Sequence, residues 1–234
     1  LLLASLAILA ALLIFAQFPS PALAPASYER RVYFYSLIVP NYGYMGYAMA
    51  EGLFGANGLL ELIIFSLPIS IYTYTAGFAS LTKRPISLKK LLNVVNVAVL
   101  LGIVVGLLNI EMPKIATMVL DKSAACMAPV GMLLAGLTIS QFGLKGLFRN
   151  KKTYIMCLFR LLIIPLTIFF VLRAGTDNTI LIRTALLFYC LPCGMNTIVF
   201  PKMVGEDCKI GASMVLISTL AALITVPLCV TLLK

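Results

Sequence analysis

The stretch Val39-Pro40-Asn41-Tyr42-Gly43-Tyr44-Met45-Gly46 interrupts an otherwise apolar run, and Leu191-Pro192-Cys193-Gly194-Met195-Asn196 does the same far downstream. Proline removes a backbone hydrogen-bond donor, and the glycines loosen the turn that follows. Both stretches therefore predict a helix that is broken part-way along. Inside a membrane, the freed backbone groups are tolerated only where they face protein or a watery cavity. The two breaks are therefore the first place to look for a bound substrate.

The composition predicts an all-α polytopic membrane protein. Of its 234 residues, 62% are hydrophobic and 11% are charged, and the mean hydropathy is +1.06. A water-soluble domain of this length could not hide so much apolar surface. With about 20 residues needed to cross a bilayer, the sequence predicts eight spans. They cover about residues 1–18, 32–50, 59–81, 91–108, 115–140, 154–172, 179–200 and 210–233.

The basic residues predict an orientation in the cell membrane. The net charge is +10, but Lys and Arg lie in the connections between apolar runs and do not form a soluble patch, so a nucleic-acid partner is not expected. The connections after the first, third, fifth and seventh spans carry 2, 4, 4 and 2 basic residues. Those after the second, fourth and sixth carry 0, 1 and 1, so the first set is predicted to be cytoplasmic.

No pattern in the sequence predicts an enzyme, a metal site or a cofactor. The chain has no histidine, its carboxylates are scattered, and it contains neither a G-x-S-x-G stretch nor a P-loop. The chain therefore has no ATP-hydrolysing site of its own, and coupling to an H⁺ or Na⁺ gradient is left open. The pair Cys190 and Cys193 suggests a thiol–disulfide carrier, but the βαβ context is missing and the other break has no cysteine.

A weak internal repeat relates the two breaks. The order proline, glycine, proline occurs in both halves: Pro40, Gly55 and Pro68 in the first half correspond to Pro192, Gly205 and Pro227 in the second. A unit with an odd number of helices is inverted when it is repeated, as in many secondary transporters. We therefore expect residues 1–82 to be three helices of a first repeat, residues 83–90 a cytoplasmic linker, and residues 91–234 a second repeat of five helices. The apolar start at Leu1 suggests that two helices of the first repeat are missing.

Three stretches resemble the signature sequences of the auxin efflux carrier family. They are Pro40-Asn41-Tyr42-Gly43-Tyr44-Met45-Gly46 with Leu53-Phe54-Gly55, Ala128-Pro129-Val130-Gly131-Met132-Leu133-Leu134-Ala135-Gly136, and Leu191-Pro192-Cys193-Gly194-Met195-Asn196-Thr197. That family includes the plant PIN-type carriers and bacterial permeases for malate, malonate and related anions. The resemblance implies a ten-helix fold of two inverted five-helix repeats, whose broken fourth and ninth helices cross, and the chain would match its third to tenth helices. The family often has Asn-Pro where this chain has Asn93-Val94, and the short linker favours a prokaryotic-type member.

Eight residues are candidates for substrate binding: Pro40, Asn41, Gly43, Gly46, Arg160, Pro192, Gly194 and Asn196. The amides of the two asparagines offer a donor and an acceptor to a carboxylate, but both residues could instead cap half-helices. The glycines expose backbone amides or simply permit close packing. Arg160 could meet a substrate carboxylate or extend to the membrane surface, and for Arg183 the surface is favoured.

These residues predict a secondary transporter of small organic anions that works by alternating access. The anions are mono- or dicarboxylates such as malate or malonate, or auxin-like acids. The alternative is a non-transporting membrane sensor or subunit that keeps the fold. The expected partners are the anion and the lipid bilayer, and the sequence leaves a homodimer open.

Overall fold

The computed structural model describes residues 1–24, 27–84, 94–140 and 144–233, and within these ranges it is helical and has no strand. The α-helices are α1 (Leu2–Phe15), α2 (Pro19–Leu23), α3 (Ser27–Ile38), α4 (Tyr47–Tyr72), α5 (Phe78–Thr82), α6 (Val94–Leu107), α7 (Lys114–Ser140), α8 (Leu144–Leu147), α9 (Lys151–Leu158), α10 (Ile164–Gly175), α11 (Thr179–Cys190), α12 (Asn196–Met203) and α13 (Lys209–Thr231). Three π-helical turns run directly into α-helices: π1 (Tyr42–Gly46), π2 (Thr73–Gly77) and π3 (Phe159–Ile163).

Several helices have the length and composition of membrane spans. In the described part of the chain, four helical runs are long and apolar enough to cross a bilayer: Leu2–Leu23, Tyr42–Thr82, Lys151–Gly175 and Lys209–Thr231. The molecule is therefore an all-α polytopic membrane protein, as its composition predicts. Each of the eight predicted spans is mostly helical where the structure describes it, and the second and seventh contain the non-helical residues 39–41 and 191–195. Their number, and the predicted division at residues 82 and 90, stay predictions.

The predicted connection between the second and third spans is a tight turn at Gly55. Gly55 has a non-helical backbone, with φ 68° and ψ −167°, and two helices within the run Tyr47–Tyr72 meet there at a kink. The chain folds back at this kink, because the Tyr47 hydroxyl lies 2.9 Å from Ser66 Oγ, whereas a straight helix would separate these residues by about 28 Å. The combination of φ and ψ at Gly55 is almost restricted to glycine. Gly205, which follows α12, also has a positive φ of 75°. The two glycines that correspond in the internal repeat thus both have backbone that other residues avoid.

Proline alone does not decide where a helix stops. Pro68, Pro129 and Pro227 lie inside α4, α7 and α13. By contrast, α3 ends two residues before Pro40, and α11 ends two residues before Pro192. The difference is explained by the partners that the freed backbone groups find at the two breaks, since an unpaired backbone group in an apolar interior is costly.

Large buried side chains surround the breaks. Tyr42 stacks on Phe188 with ring centroids 5.4 Å apart, and Phe65 meets Phe188 edge to face at 5.2 Å. Phe65 and Phe188 are fully buried, as is Leu37 at the end of α3. These contacts join α3, π1, α4 and α11, so the halves of the chain on either side of the linker pack as one core around the breaks.

Candidate functional site

The two breaks contact each other directly through their backbones. Pro40 and Cys193 form an isolated antiparallel bridge. The Asn41 N–H donates to the Pro192 carbonyl oxygen at 2.9 Å, and the Gly194 N–H donates to the Val39 carbonyl oxygen at 3.1 Å. The two broken helices that the resemblance implies therefore meet at their breaks, in non-helical backbone. Each break supplies the partner that the other needs.

This pairing changes which carbonyl groups are satisfied at the end of α3. In an uninterrupted helix, Asn41 would donate to the carbonyl oxygen of Leu37, and residue 40 would donate to that of Ser36. Asn41 donates to Pro192 instead, and Pro40 has no N–H. The carbonyl groups of Ser36 and Leu37 have therefore lost their helical donors.

Hydroxyl groups hold the second break in place. The Cys193 N–H donates to Ser218 Oγ of α13 at 3.0 Å. The Cys193 thiol donates to Ser36 Oγ of α3 at 3.1 Å. Cys190 and Cys193 are both buried free thiols, so the C-x-x-C pair packs inside the site and does not form a disulfide.

Asn41 is buried, and its side chain is not a cap. The residue is only 3% exposed, and within the described ranges its amide side chain makes no hydrogen bond, to the following turn or elsewhere. Its backbone carbonyl oxygen accepts from Met45 and Gly46 at 3.2 and 3.1 Å. The capping interpretation is therefore wrong for Asn41, and the amide remains available to a ligand.

Asn196 lies at the first residue of α12 beside a second group of polar side chains. Its amide faces the hydroxyl of Tyr35, which also faces Thr73 of π2. The Tyr35 hydroxyl and Thr73 Oγ1 are both buried without a hydrogen bond of normal geometry among the described residues. Three polar side chains from α3, π2 and α12 thus lie together with unused hydrogen-bonding capacity.

The three candidate glycines have different surroundings. A Cβ atom on Gly46 would lie 2.6 Å from Leu191 Cδ1, and one on Gly194 would lie 3.1 Å from the Val39 carbonyl oxygen. These two glycines allow the breaks to approach closely. A Cβ on Gly43 would meet no atom within 4 Å in the described part of the protein, so that glycine faces open space.

Arg160 is the charged group at the centre of the site. It lies in π3 and is 0% exposed, so the alternative of a side chain extended to the membrane surface is wrong. Its Nη1 donates to the Leu37 carbonyl oxygen at 3.2 Å, which replaces one lost helical donor. Its guanidinium carbon lies 5.7 Å from the ring centroid of Tyr189, and Cys190 and Cys193 are also close.

Much of the hydrogen-bonding capacity of Arg160 is unused. Its Nε and Nη2 atoms are buried without a partner among the described residues, as is the hydroxyl of Tyr189. All eight carboxylates of the chain lie within the described ranges, and none forms a salt bridge with Arg160 there. A buried guanidinium without a counter-charge strongly favours an anionic ligand.

Arg183 has a partner that its sequence context does not reveal. Its Nε and Nη2 hold the Glu61 carboxylate side-on, with Nη2 2.7 Å from Oε1 and Nε 3.2 Å from Oε2. Its guanidinium carbon also lies 5.0 Å from the ring centroid of Phe54. The ion pair connects α11 to α4, and extension of Arg183 to the membrane surface stays a prediction.

A polar cluster fixes the broken helices at the end that is predicted to be cytoplasmic. Tyr28 donates to the Asp207 carbonyl oxygen, and Arg31 lies 3.9 Å from a Glu206 carboxylate oxygen. Burial, with a smaller contribution from the charge of Asp207, raises the pKa of Tyr28, so its hydroxyl stays protonated as a donor. The start of α3 is thereby attached to the loop after α12.

Two predicted features lie wholly or partly outside the described residues. Asn93 and most of the linker, residues 85–90, lie outside the described residues. The stretch from Ala128 to Gly136 is helical within α7, but several of its side chains, including Ala128, also lie outside the description.

The paired breaks and the buried arginine define a class of protein. Apolar helices surround a polar centre. In it, non-helical segments that are far apart in the sequence hydrogen-bond to each other through their backbone N–H and carbonyl groups. Helices broken in this way at the same depth are the arrangement by which secondary transporters build a binding site inside a membrane.

Comparison with known families agrees with this class. The profile of a family described as membrane transport protein matches residues 82–230, which is more than half of the chain. The chain therefore belongs to this family of membrane transport proteins, the auxin efflux carrier family that its signature stretches resemble. The family is one of transporters. Neither a curated protein nor a solved structure matches the chain.

Proposed function

We propose that the protein is a multi-pass secondary transporter of the cell membrane that carries small organic anions by alternating access. The anions are mono- or dicarboxylates such as malate or malonate, or auxin-like acids. The observation that carries this proposal is the contact between the two breaks, in which Asn41 and Gly194 donate across to Pro192 and Val39. Family membership supports transport, and the unpaired Arg160 supports an anion.

The substrate contacts come from both breaks and from π3. The proposed binding residues are Pro40, Asn41, Gly43, Gly46, Arg160, Pro192, Gly194 and Asn196. The free amide of Asn41 is the group best placed to contact a carboxylate from the first break, because it is buried and makes no other hydrogen bond among the described residues. Arg160 supplies the positive charge.

Uptake by proteoliposomes, measured over a panel of carboxylates, tests the proposal. Asn41→Ala removes one or two hydrogen bonds to a charged group, each worth about 1.5–3 kcal/mol, so substrate affinity should fall by roughly tenfold or more. The melting temperature should change little, because the amide holds no other described group in place. Asn57→Ala is the matched control, since Asn57 is exposed on α4. It should leave uptake almost intact.

Two results would contradict this assignment. If Asn41→Ala transports normally, or fails to fold, then the residue is structural and the carboxylate binds elsewhere. If the wild-type protein binds a carboxylate but moves none across the membrane, it is a sensor or subunit that keeps the transporter fold.

A further inference from the structure

The ends of two half-helices converge on Arg160. The end of α3 contributes the Leu37 carbonyl oxygen, which accepts from Arg160 Nη1. The end of α11 contributes Tyr189 and Cys190, which lie beside the same guanidinium. The C-terminal end of a helix carries unsatisfied carbonyl groups and a partial negative charge of about half an elementary charge. Each of these two ends is a centre of negative potential, and Arg160 lies beside both.

In transporters built from broken helices, this is the environment that coordinates a cation. Half-helix C-terminal ends and unwound carbonyl groups hold the Na⁺ that moves with the substrate. Here a positive charge that belongs to the chain occupies that environment and already binds one of the freed carbonyl groups. A second cation would be repelled by the guanidinium, because charges interact strongly in a medium of low dielectric constant.

We propose that Arg160 takes the place of a coupling metal cation, so that the protein binds and carries its anion without sodium. This inference rests on the proposed transport function. Nη1 attaches the side chain to α3, and the opposite edge, formed by Nε and Nη2, has no partner among the described residues. That edge is the site for the carboxylate of the substrate.

The chain itself shows how this edge binds a carboxylate. Arg183 uses the same two atoms, Nε and Nη2, to hold Glu61 side-on at 2.7 to 3.2 Å. Planar guanidinium and carboxylate groups match each other in this geometry. The Tyr189 ring lies beside Arg160, and its hydroxyl, also buried without a partner among the described residues, is a further donor.

The first test compares cations on the wild-type protein. Proteoliposomes take up radiolabelled lactate, malate or indole-3-acetate in Na⁺, K⁺ or N-methyl-D-glucamine medium of equal ionic strength. We expect the rate for each transported anion to agree within twofold in the three media. A saturable dependence on Na⁺ of fivefold or more would overturn this inference while leaving the transport function intact. Lack of uptake of all three anions in every medium would instead count against the proposed function.

The second test changes the charge. Arg160→Gln should lower carboxylate affinity at least tenfold in all three media, and Arg160→Lys should lower it less, because the charge remains but the planar edge is lost. Arg173→Gln is the control, since Arg173 is exposed in the same helical run, and it should stay within twofold of wild type. If Arg160 had only a structural role, Arg160→Gln would lower the melting temperature and leave the carboxylate affinity of the folded protein unchanged.

The outcomes separate the two roles. If Arg160→Gln binds carboxylates as well as wild type, the inference is wrong. If Arg160→Gln gives no folded protein, the uptake of Arg160→Lys is measured with and without Na⁺. Uptake by Arg160→Lys that is independent of Na⁺ supports the fixed charge as the substitute for a metal cation. Uptake by Arg160→Lys that has become dependent on Na⁺ overturns the inference.

Discussion

Replacing Gly194 with alanine tests whether the contact between the breaks holds the site together. A Cβ atom at this position would lie 3.1 Å from the Val39 carbonyl oxygen and 3.2 Å from the Pro40 carbonyl oxygen. These are backbone atoms, which cannot rotate away as the end of a side chain can. The same carbonyl group of Val39 accepts the Gly194 N–H, so a shift of a few tenths of an ångström also weakens that hydrogen bond.

The expected magnitude follows from these contacts. Overpacking a tight interior costs about 1–3 kcal/mol. At about 2–4 °C per kcal/mol for a chain of this size, the melting temperature should fall by roughly 2–12 °C. Uptake should also fall severalfold, because Asn41 is joined to the second break through Pro192 and would move with it.

Gly43→Ala is the matched control for stability. A Cβ there meets no described atom within 4 Å, and alanine is preferred over glycine in helical backbone by roughly 0.5–1 kcal/mol, so the melting temperature should not fall. Uptake should decline if Gly43 lines the substrate cavity. The assays are thermal unfolding in detergent and proteoliposome uptake. The prediction is wrong if Gly194→Ala has the melting temperature of wild type, or if Gly194→Ala and Gly43→Ala lower the melting temperature equally.

The remaining predictions concern stability. A double-mutant cycle on Glu61→Gln and Arg183→Gln should give a coupling energy of about 1–2 kcal/mol, since the ion pair is bidentate but only partly buried. If the two changes in unfolding free energy add to within about 0.5 kcal/mol, the prediction is wrong. Gly55→Ala should lower the free energy of unfolding by about 1–3 kcal/mol, because the positive φ of Gly55 strains any other residue. Gly52→Ala is the control and should not destabilise the protein, because a Cβ there meets no described atom within 4 Å. Equal melting temperatures of the two variants would contradict the predicted strain at Gly55.

The sequence predicts the breaks well because the cause is local. Pro40 and Pro192 each remove a donor, and the polar or small residues after them mark the place where helical backbone stops. Pro68, Pro129, Pro201 and Pro227 lie inside helices, and no comparable Asn-x-Gly or Cys-Gly follows any of them. That the breaks contact each other also follows, since freed backbone groups in an apolar interior need partners.

Other features depend on which helix faces meet, and the sequence does not show this. Arg160 lies in the π-helical turn of residues 159–163, and its burial depends on contacts with α3 and α11 that its own sequence context does not show. The pairing of Arg183 with Glu61 depends on contact between α11 and α4. The sequence predicts a loop over residues 51–57, but helical backbone continues on both sides up to a kink at Gly55, and the loop-forming residues there do not show how far each helix extends.

The contact between the breaks also sets an order of events during synthesis. Cys193 and Ser36, which hydrogen-bond to each other, are separated by 157 positions. At ~5–20 residues per second, a ribosome needs roughly 8–30 s to make the intervening chain. During that interval the first broken helix has freed carbonyl groups and no second break to satisfy them. The membrane-insertion machinery, or water held near Pro40, must shelter this segment until residues 191–194 arrive.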